Sequence, residues 1–185
     1  MIDQTRTSIE SQMLKSISNF KDEISKLRTG RANPAMVENI TVDYYGTPTP
    51  LNQMANISAP EARMLLVQPW DVSALEVIEK AISQSQLGVT PQNDGKLIRL
   101  PMPPLTEETR KEVVKQASKM GEDARVTIRN IRRGGIDELK KAEKNKEITE
   151  DDLKKGQDQI QKLTDQFVKE VEKLLEDKSQ DIMKV

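Results

Sequence analysis

Apolar positions along this chain recur with two different periods, and the changes of period divide it into blocks. Ile9, Met13, Ile17, Phe20, Ile24 and Leu27 fall at steps of three and four, which lines one face of a helix. The spacing predicts a helix over 3–28, a rod of roughly 40 Å. Asp3 is its expected N-cap, and Gly30 and Pro34 are its stop signals. From 31 to 104 the period shortens. Residues 39–44 alternate and read as a half-buried strand. Residues 45–50 read as a turn and an edge-like segment, because Pro48 and Pro50 cannot donate to a central ladder. Residues 63–67 read as a more buried strand. Ser73-Ala74-Leu75-Glu76 has the form of a capping box, opening a short helix with Ala74, Ile78, Ala81 and Ile82 on one face. Asn93-Asp94-Gly95 signals a hairpin whose second strand is 97–100.

Helical spacing returns after the proline-rich stretch 101–104, which reads as a stiff, extended linker. Thr106 is the expected cap, with Glu107 and Glu108 where the helix dipole favours negative charge. Val113, Ala117, Met120, Ala124, Ile131, Leu139 and Ala142 supply an apolar face. Gly134-Gly135 is expected to interrupt it, at about 1 kcal/mol per glycine relative to alanine. Residues 144–148 read as a turn. Thr149 and Asp152 then open a third helix to about 182 whose seam is Ile160, Leu163, Phe167, Val171 and Leu174. None of the three long helices is apolar all round, so each must bury its stripe on the others, as an elongated left-handed bundle. The predicted fold is therefore α+β. A discontinuous three-helix bundle takes 1–30 and 105–185, and a small α/β domain takes 31–104. The crossings near Gly30-Arg31 and Met102-Pro103-Pro104 have the form of an interdomain hinge.

Composition narrows the chemistry. The 185 residues contain neither histidine nor cysteine. That removes the usual base near neutral pH, the thiolate nucleophile and the commonest metal ligands. No GxxxxGK[ST] loop is present, and Glu150-Asp151-Asp152 lacks the glycine and ligand spacing of a calcium loop. No metal and no cofactor is expected, and the chain is not expected to be an enzyme. No apolar run approaches membrane-spanning length and no signal-peptide core opens the chain, so a cytoplasmic location and no membrane partner are expected. Charges balance at 29 basic and 30 acidic, so any nucleic-acid contact must come from local patterning.

That patterning is present. All ten arginines lie before residue 134, and four of them are Arg125, Arg129, Arg132 and Arg133. On a helix these four span an arc of about 100°. Lys111 and Lys115 extend it, and no acidic residue falls between 125 and 133. A solvated face paired with acids on a neighbouring helix would give the same stripe. The preference for arginine and the missing acids favour phosphate recognition instead. Both readings stand on composition alone.

Several runs along the chain are distinctive in sequence and length. They are Lys26-Leu27-Arg28-Thr29-Gly30-Arg31-Ala32-Asn33-Pro34, Tyr44-Tyr45-Gly46-Thr47-Pro48-Thr49-Pro50-Leu51, Pro103-Pro104-Leu105-Thr106-Glu107-Glu108, Arg125 with Arg129-Asn130-Ile131-Arg132-Arg133, Lys146-Glu147-Ile148-Thr149-Glu150-Asp151-Asp152 and Gln161-Lys162-Leu163-Thr164-Asp165. These runs resemble the bacterial ribosome recycling factor family and occur in family order over nearly the whole chain. The resemblance implies an L-shaped monomer with a β/α/β sandwich as its short arm. It implies binding to the large ribosomal subunit after termination. Elongation factor G with GTP would then split the ribosome, releasing messenger RNA and deacylated transfer RNA, and initiation factor 3 would block reassociation. It further implies that Arg28, Arg110, Arg125, Arg129, Arg132 and Arg133 meet ribosomal RNA, and that Gly30, Arg31, Met102, Pro103 and Pro104 form the hinge. Two positions depart from the family pattern: Thr109, where many relatives carry another arginine, and Gly134-Gly135, where relatives usually keep helix formers. The rival reading is a helical adaptor or holdase gripping protein partners. Binding to RNA phosphates weakens steeply with salt and an apolar grip does not.

Overall fold

The computed structural model describes residues 1–184. The chain divides into two compact units, one of Met1–Ile24 with Val114–Val185 and one of Ser25–Val113. It is α+β.

The first unit is built from three helices. They are α1 (Ile2–Ser25), the part of α3 (Glu107–Lys144) beyond residue 113, and α4 (Glu150–Met183). Their stripes bury one another. Ile9, Met13, Ile17, Phe20 and Ile24 come from α1, Ala117, Ala124, Ile128, Leu139 and Ala142 from α3, and Ile160, Leu163, Phe167, Val171 and Ile182 from α4. Ile128, absent from the predicted seam, is fully buried, whereas Met120 and Ile131 are only half-buried. Numbers fall on α3 as they rise on α4: Leu139 meets Gly156, Gly135 meets Ile160, Arg132 meets Gln161 and Gly121 meets Leu175. These two helices are therefore antiparallel. Helix α1 runs with α4, since Ile2 lies at Gly156 and Lys21 pairs with Glu170 at 3.3 Å.

Two expectations about the helices need correcting. Asp3 is not the cap of α1 but sits in its first turn, because the helix begins at Ile2. Gly134-Gly135 does not interrupt α3, which continues unbroken to Lys144. Gly135 is instead a close-approach point. The Ile9 Cδ1 atom stands where an alanine Cβ would be, with Ile160 Cδ1 at 3.4 Å, while nothing lies within 4 Å of the same position at Gly134. Packing against α1 thus offsets the propensity cost at Gly135. Nothing in the structure explains Gly134. The caps of the later helices match expectation. The Thr109 N–H donates to Thr106 Oγ1 at 3.1 Å. Thr149 and Asp152 form a reciprocal capping box, at 3.1 and 3.2 Å.

The second unit has its own core. Strands β1 (Thr41–Tyr44) and β2 (Thr47–Pro50) form an antiparallel hairpin. Its turn is Tyr45-Gly46, both at positive φ. Strands β3 (Ala55–Glu61), β4 (Met64–Pro69), β5 (Gln92–Asn93) and β6 (Ile98–Pro101) form an antiparallel sheet in the order β3-β4-β6-β5. Helix α2 (Leu75–Gln84) closes the unit with Leu75, Ile78 and Ile82 inward. They pack with Val42, Leu65, Val67, Ile98 and Leu100 in one cluster. Strand β3 was not anticipated. It is an edge strand whose last four residues are exposed and include a proline, so it carries little alternation to read. The expected cap at Ser73 is also corrected. Asp71 is the acceptor, taking Ser73 N–H at 3.0 Å and Ser73 Oγ–H at 2.7 Å, ahead of a short 3-10 turn over Val72–Ala74.

The proline-rich stretch is more structured than a linker. Pro101 ends β6. Met102 is buried in the core of this unit, and its N–H donates to the Arg63 carbonyl at 2.7 Å.

Candidate nucleic-acid interface

Helix α3 presents its arginines because 3.6-residue geometry turns positions 125, 129, 132 and 133 away from Ala117, Ala124 and Ile128. The four are not equivalent. Arg125 is 19% exposed at its side chain, and its Nε and Nη2 both donate to Glu122 Oε2, at 3.0 and 2.7 Å. Arg129 is 53% exposed and stands 3.8 Å from Glu122 Oε1, a loose contact. Glu122 is held below its ordinary carboxylate range, first by the Arg125 hydrogen bonds and then by the Arg125 charge. Arg133 is exposed and makes no ion pair or hydrogen bond among the described residues. Arg132 is half-buried, and its Nη1 donates to Gln161 Oε1 on α4 at 2.9 Å.

Neither reading of the stripe covers all four side chains. The acid that engages it lies one turn earlier on the same helix, not on a neighbouring one, and the neighbouring helix supplies an amide. Glu122, Gln161 and Asp165 are the neighbours that spacing along the chain did not single out. Glu122 was discoverable as the i−3 partner of Arg125. Gln161 and Asp165 were not, because their role depends on how α3 and α4 pack.

Arg28 and Arg110 belong to the other unit. Arg28 Nη2 donates to the Pro103 carbonyl at 3.3 Å. Arg110 is half-buried in the first turn of α3, its N–H donating to the Thr106 carbonyl at 2.9 Å. The expected hinge residues also fall inside this unit. Gly30 has a φ of +80°, the left-handed region, and Leu105 Cγ lies 3.9 Å from where its Cβ would be. Arg31 N–H donates to Thr29 Oγ1 at 3.4 Å, and the next N–H, of Ala32, donates to the Ala62 carbonyl at 2.7 Å. Residues 28–32 and 102–105 are thus tied to each other and to the β3–β4 turn.

The aromatic residues do not form a stacking row. Tyr44 is half-buried and donates from its hydroxyl to Asp71 Oδ2 at 2.8 Å, whereas Tyr45 in the turn is 81% exposed. That hydrogen bond raises the Tyr44 pKa, while Ser73 first and Tyr44 second lower that of Asp71. Among the described residues no group of acids could hold a metal ion, and no helix is long and apolar enough to cross a membrane.

Comparison with known proteins places these features in a family. The family model for ribosome recycling factor matches residues 20–183. The ribosome-recycling factor of Brevibacillus brevis is 58% identical over 177 residues, covering 96% of each chain. The solution structure of a ribosome recycling factor covers all of this chain and 98% of its own at 41% identity, with a TM-score of 0.80. A second structure, at 43% identity and TM-score 0.70 over the full length of both chains, is the Thermus thermophilus ribosome recycling factor in models with Escherichia coli elongation factor G on the post-termination complex. Matched along nearly its whole length in sequence and along its whole length in fold, the chain belongs to the ribosome recycling factor family.

Proposed function

We propose that this protein recycles ribosomes. It binds the post-termination ribosome and, with elongation factor G and GTP, splits it into subunits, so that messenger RNA and deacylated transfer RNA leave. The observation that carries this is the full-length match to a recycling factor described together with elongation factor G on a post-termination complex. The adaptor reading has no comparable support.

Within that function, helix α3 is the face we assign to ribosomal RNA of the large subunit. Arg129 and Arg133 are its exposed forks, and Arg132 is a third at the α4 edge. Guanidinium groups suit this task because they hold phosphate bidentately and stay charged. Arg125 contributes through a guanidinium that Glu122 already engages, so its share is smaller. Arg28 and Arg110 are assigned to the same target from the other unit. The chain passes between the two units at 24–25 and 113–114. We assign relative motion of the units to those crossings; the expected hinge residues Gly30, Arg31, Met102, Pro103 and Pro104 lie inside the unit of 25–113, where the Arg28 side chain is held to the Pro103 carbonyl. The protein itself is a binding factor without catalysis of its own, and it works in the cytoplasm as a monomer. Initiation factor 3 acts after it, on the separated subunits.

The test is light scattering of post-termination ribosomes mixed with this protein, elongation factor G and GTP, together with cosedimentation on large subunits over a salt series. Splitting that needs all three components, and binding that weakens steeply with salt, is the expected result. Binding indifferent to salt would favour the adaptor.

A further inference from the structure

Behind Arg132 stands a chain of hydrogen bonds whose polarity is fixed by chemistry. Arg132 Nη1 donates to Gln161 Oε1 at 2.9 Å, and Gln161 Nε2 donates to Asp165 Oδ1 at 2.8 Å. Arginine only donates and carboxylate only accepts, so the glutamine amide has one orientation that satisfies both. The two α4 residues lie four apart, one turn of helix, which stacks them on the same face. Swapping the amide would aim an NH2 group at a guanidinium and a carbonyl at a carboxylate.

The other side of the guanidinium is closed. Arg132 Nε is buried and has no hydrogen-bond partner among the described residues. A sealed N–H without an acceptor is unfavourable, and such groups in a folded protein call for an explanation. An arginine free to choose would swing out and hydrate that nitrogen. Arg132 is held against the bundle by helix packing and by the Gln161 carbonyl. The consequence is directional. With Nε sealed, the side-on pairing that would use Nε together with Nη2 is unavailable to a phosphate, which is left the terminal nitrogens.

We infer that Gln161, oriented by Asp165, is a positioning residue that fixes Arg132 for an end-on phosphate contact. This rests on the reading of α3 as the ribosomal RNA face. The neutral amide is the appropriate holder. It fixes the fork without cancelling its charge, whereas a carboxylate in its place would compete with the phosphate, as Glu122 does at Arg125.

The experiment uses the full-length protein with Arg132→Ala, Gln161→Met, Gln161→Glu and the Arg132→Ala/Gln161→Met double variant. Three quantities are read: affinity for large subunits over a salt series, melting temperature, and the side-chain Nε–Hε resonance of Arg132 by NMR, assigned by its loss in Arg132→Lys. Gln161→Met should weaken binding roughly three- to ten-fold, the worth of one hydrogen bond, and the Nε–Hε group should become more mobile. In the Arg132→Ala background the same substitution should change affinity by less than about two-fold. Gln161→Glu should keep the arginine ordered yet reduce the salt slope by about one, as for a lost phosphate contact. If Arg132→Ala weakens binding but Gln161→Met does not, or if their effects multiply, the positioning role is overturned and the reading of α3 stands. If Arg132→Ala leaves binding unchanged, the assignment of Arg132 to RNA fails first, and the inference with it. Should Gln161→Met not fold, the Gln161→Glu salt slope decides alone, an unchanged slope overturning the inference.

Discussion

Arg129 and Arg133 differ from Arg125 in one respect that an experiment can reach: how far the guanidinium is already engaged within the protein. Among the described residues Arg133 makes no ion pair or hydrogen bond and Arg129 makes only the loose 3.8 Å approach to Glu122. Their replacement by alanine should leave thermal melting within the small range usual for exposed positions, about 0.5 kcal/mol. Each should weaken large-subunit binding and reduce the salt slope by about one. Lysine should rescue only in part, since a point charge lacks the fork. Arg125→Ala should do less to binding, because Glu122 already occupies its Nε and Nη2. Glu122→Gln should then raise affinity by freeing Arg125 and unburdening Arg129. Melts and cosedimentation on one set of variants separate these outcomes. At this scale the sequence was half legible. Periodicity put the four arginines on one arc, but what each side chain touches depends on rotamers and on packing between helices. Glu122 lies just outside the acid-free run 125–133.

Helices show where local rules and packing disagree. Gly134 and Gly135 carry the same propensity cost, about 1 kcal/mol each, yet their surroundings are opposite. Gly134→Ala enters open space and should stabilise the protein by up to about 1 kcal/mol. Gly135→Ala drives a methyl into Ile9, where overpacking costs about 1–3 kcal/mol and exceeds the propensity gain. Ile9→Val, which shortens the colliding branch, should cost less in the Gly135→Ala background than alone. Denaturant melts of the four proteins test this directly. The capping box of α4 gives a pH-dependent case. Asp152 is held below its ordinary range, first by the Thr149 hydrogen bonds. A depressed folded pKa contributes stability above the unfolded value, and that contribution is lost as pH falls through the folded one. The parent should therefore exceed Asp152→Asn in stability at neutral pH, and the gap should close in acid; a gap that persisted at low pH would assign the effect to shape rather than charge. Long amphipathic helices and the Thr106 and Thr149 caps were readable because their signals are local and repeated. Strand β3 and the Asp71 cap were not. One is an edge with few buried side chains, and the other competes with a serine two residues on that has the commoner capping pattern.

For the molecule as a whole, charge is balanced within each unit and not only in total. The bundle of 1–24 and 114–185 carries twenty basic and twenty acidic residues, and the unit of 25–113 carries nine and ten. Net charge therefore gives neither unit an overall attraction to a polyanion, and on the proposed function affinity comes from a few oriented guanidiniums on α3 and from shape. That distribution makes binding sensitive to single substitutions in a way that a uniformly basic protein would not be. The chain has no histidine, no cysteine and no GxxxxGK[ST] loop, and on the proposed function elongation factor G, through GTP, delivers the free energy that separates the subunits. The purified protein should show no GTP turnover, alone or with large subunits. Turnover in the complete reaction should scale with the amount of elongation factor and be unchanged per active factor by Arg129→Ala, while splitting falls with occupancy. Phosphate release and light scattering recorded on the same mixtures read both quantities, and turnover that followed this chain through purification would place an engine inside it.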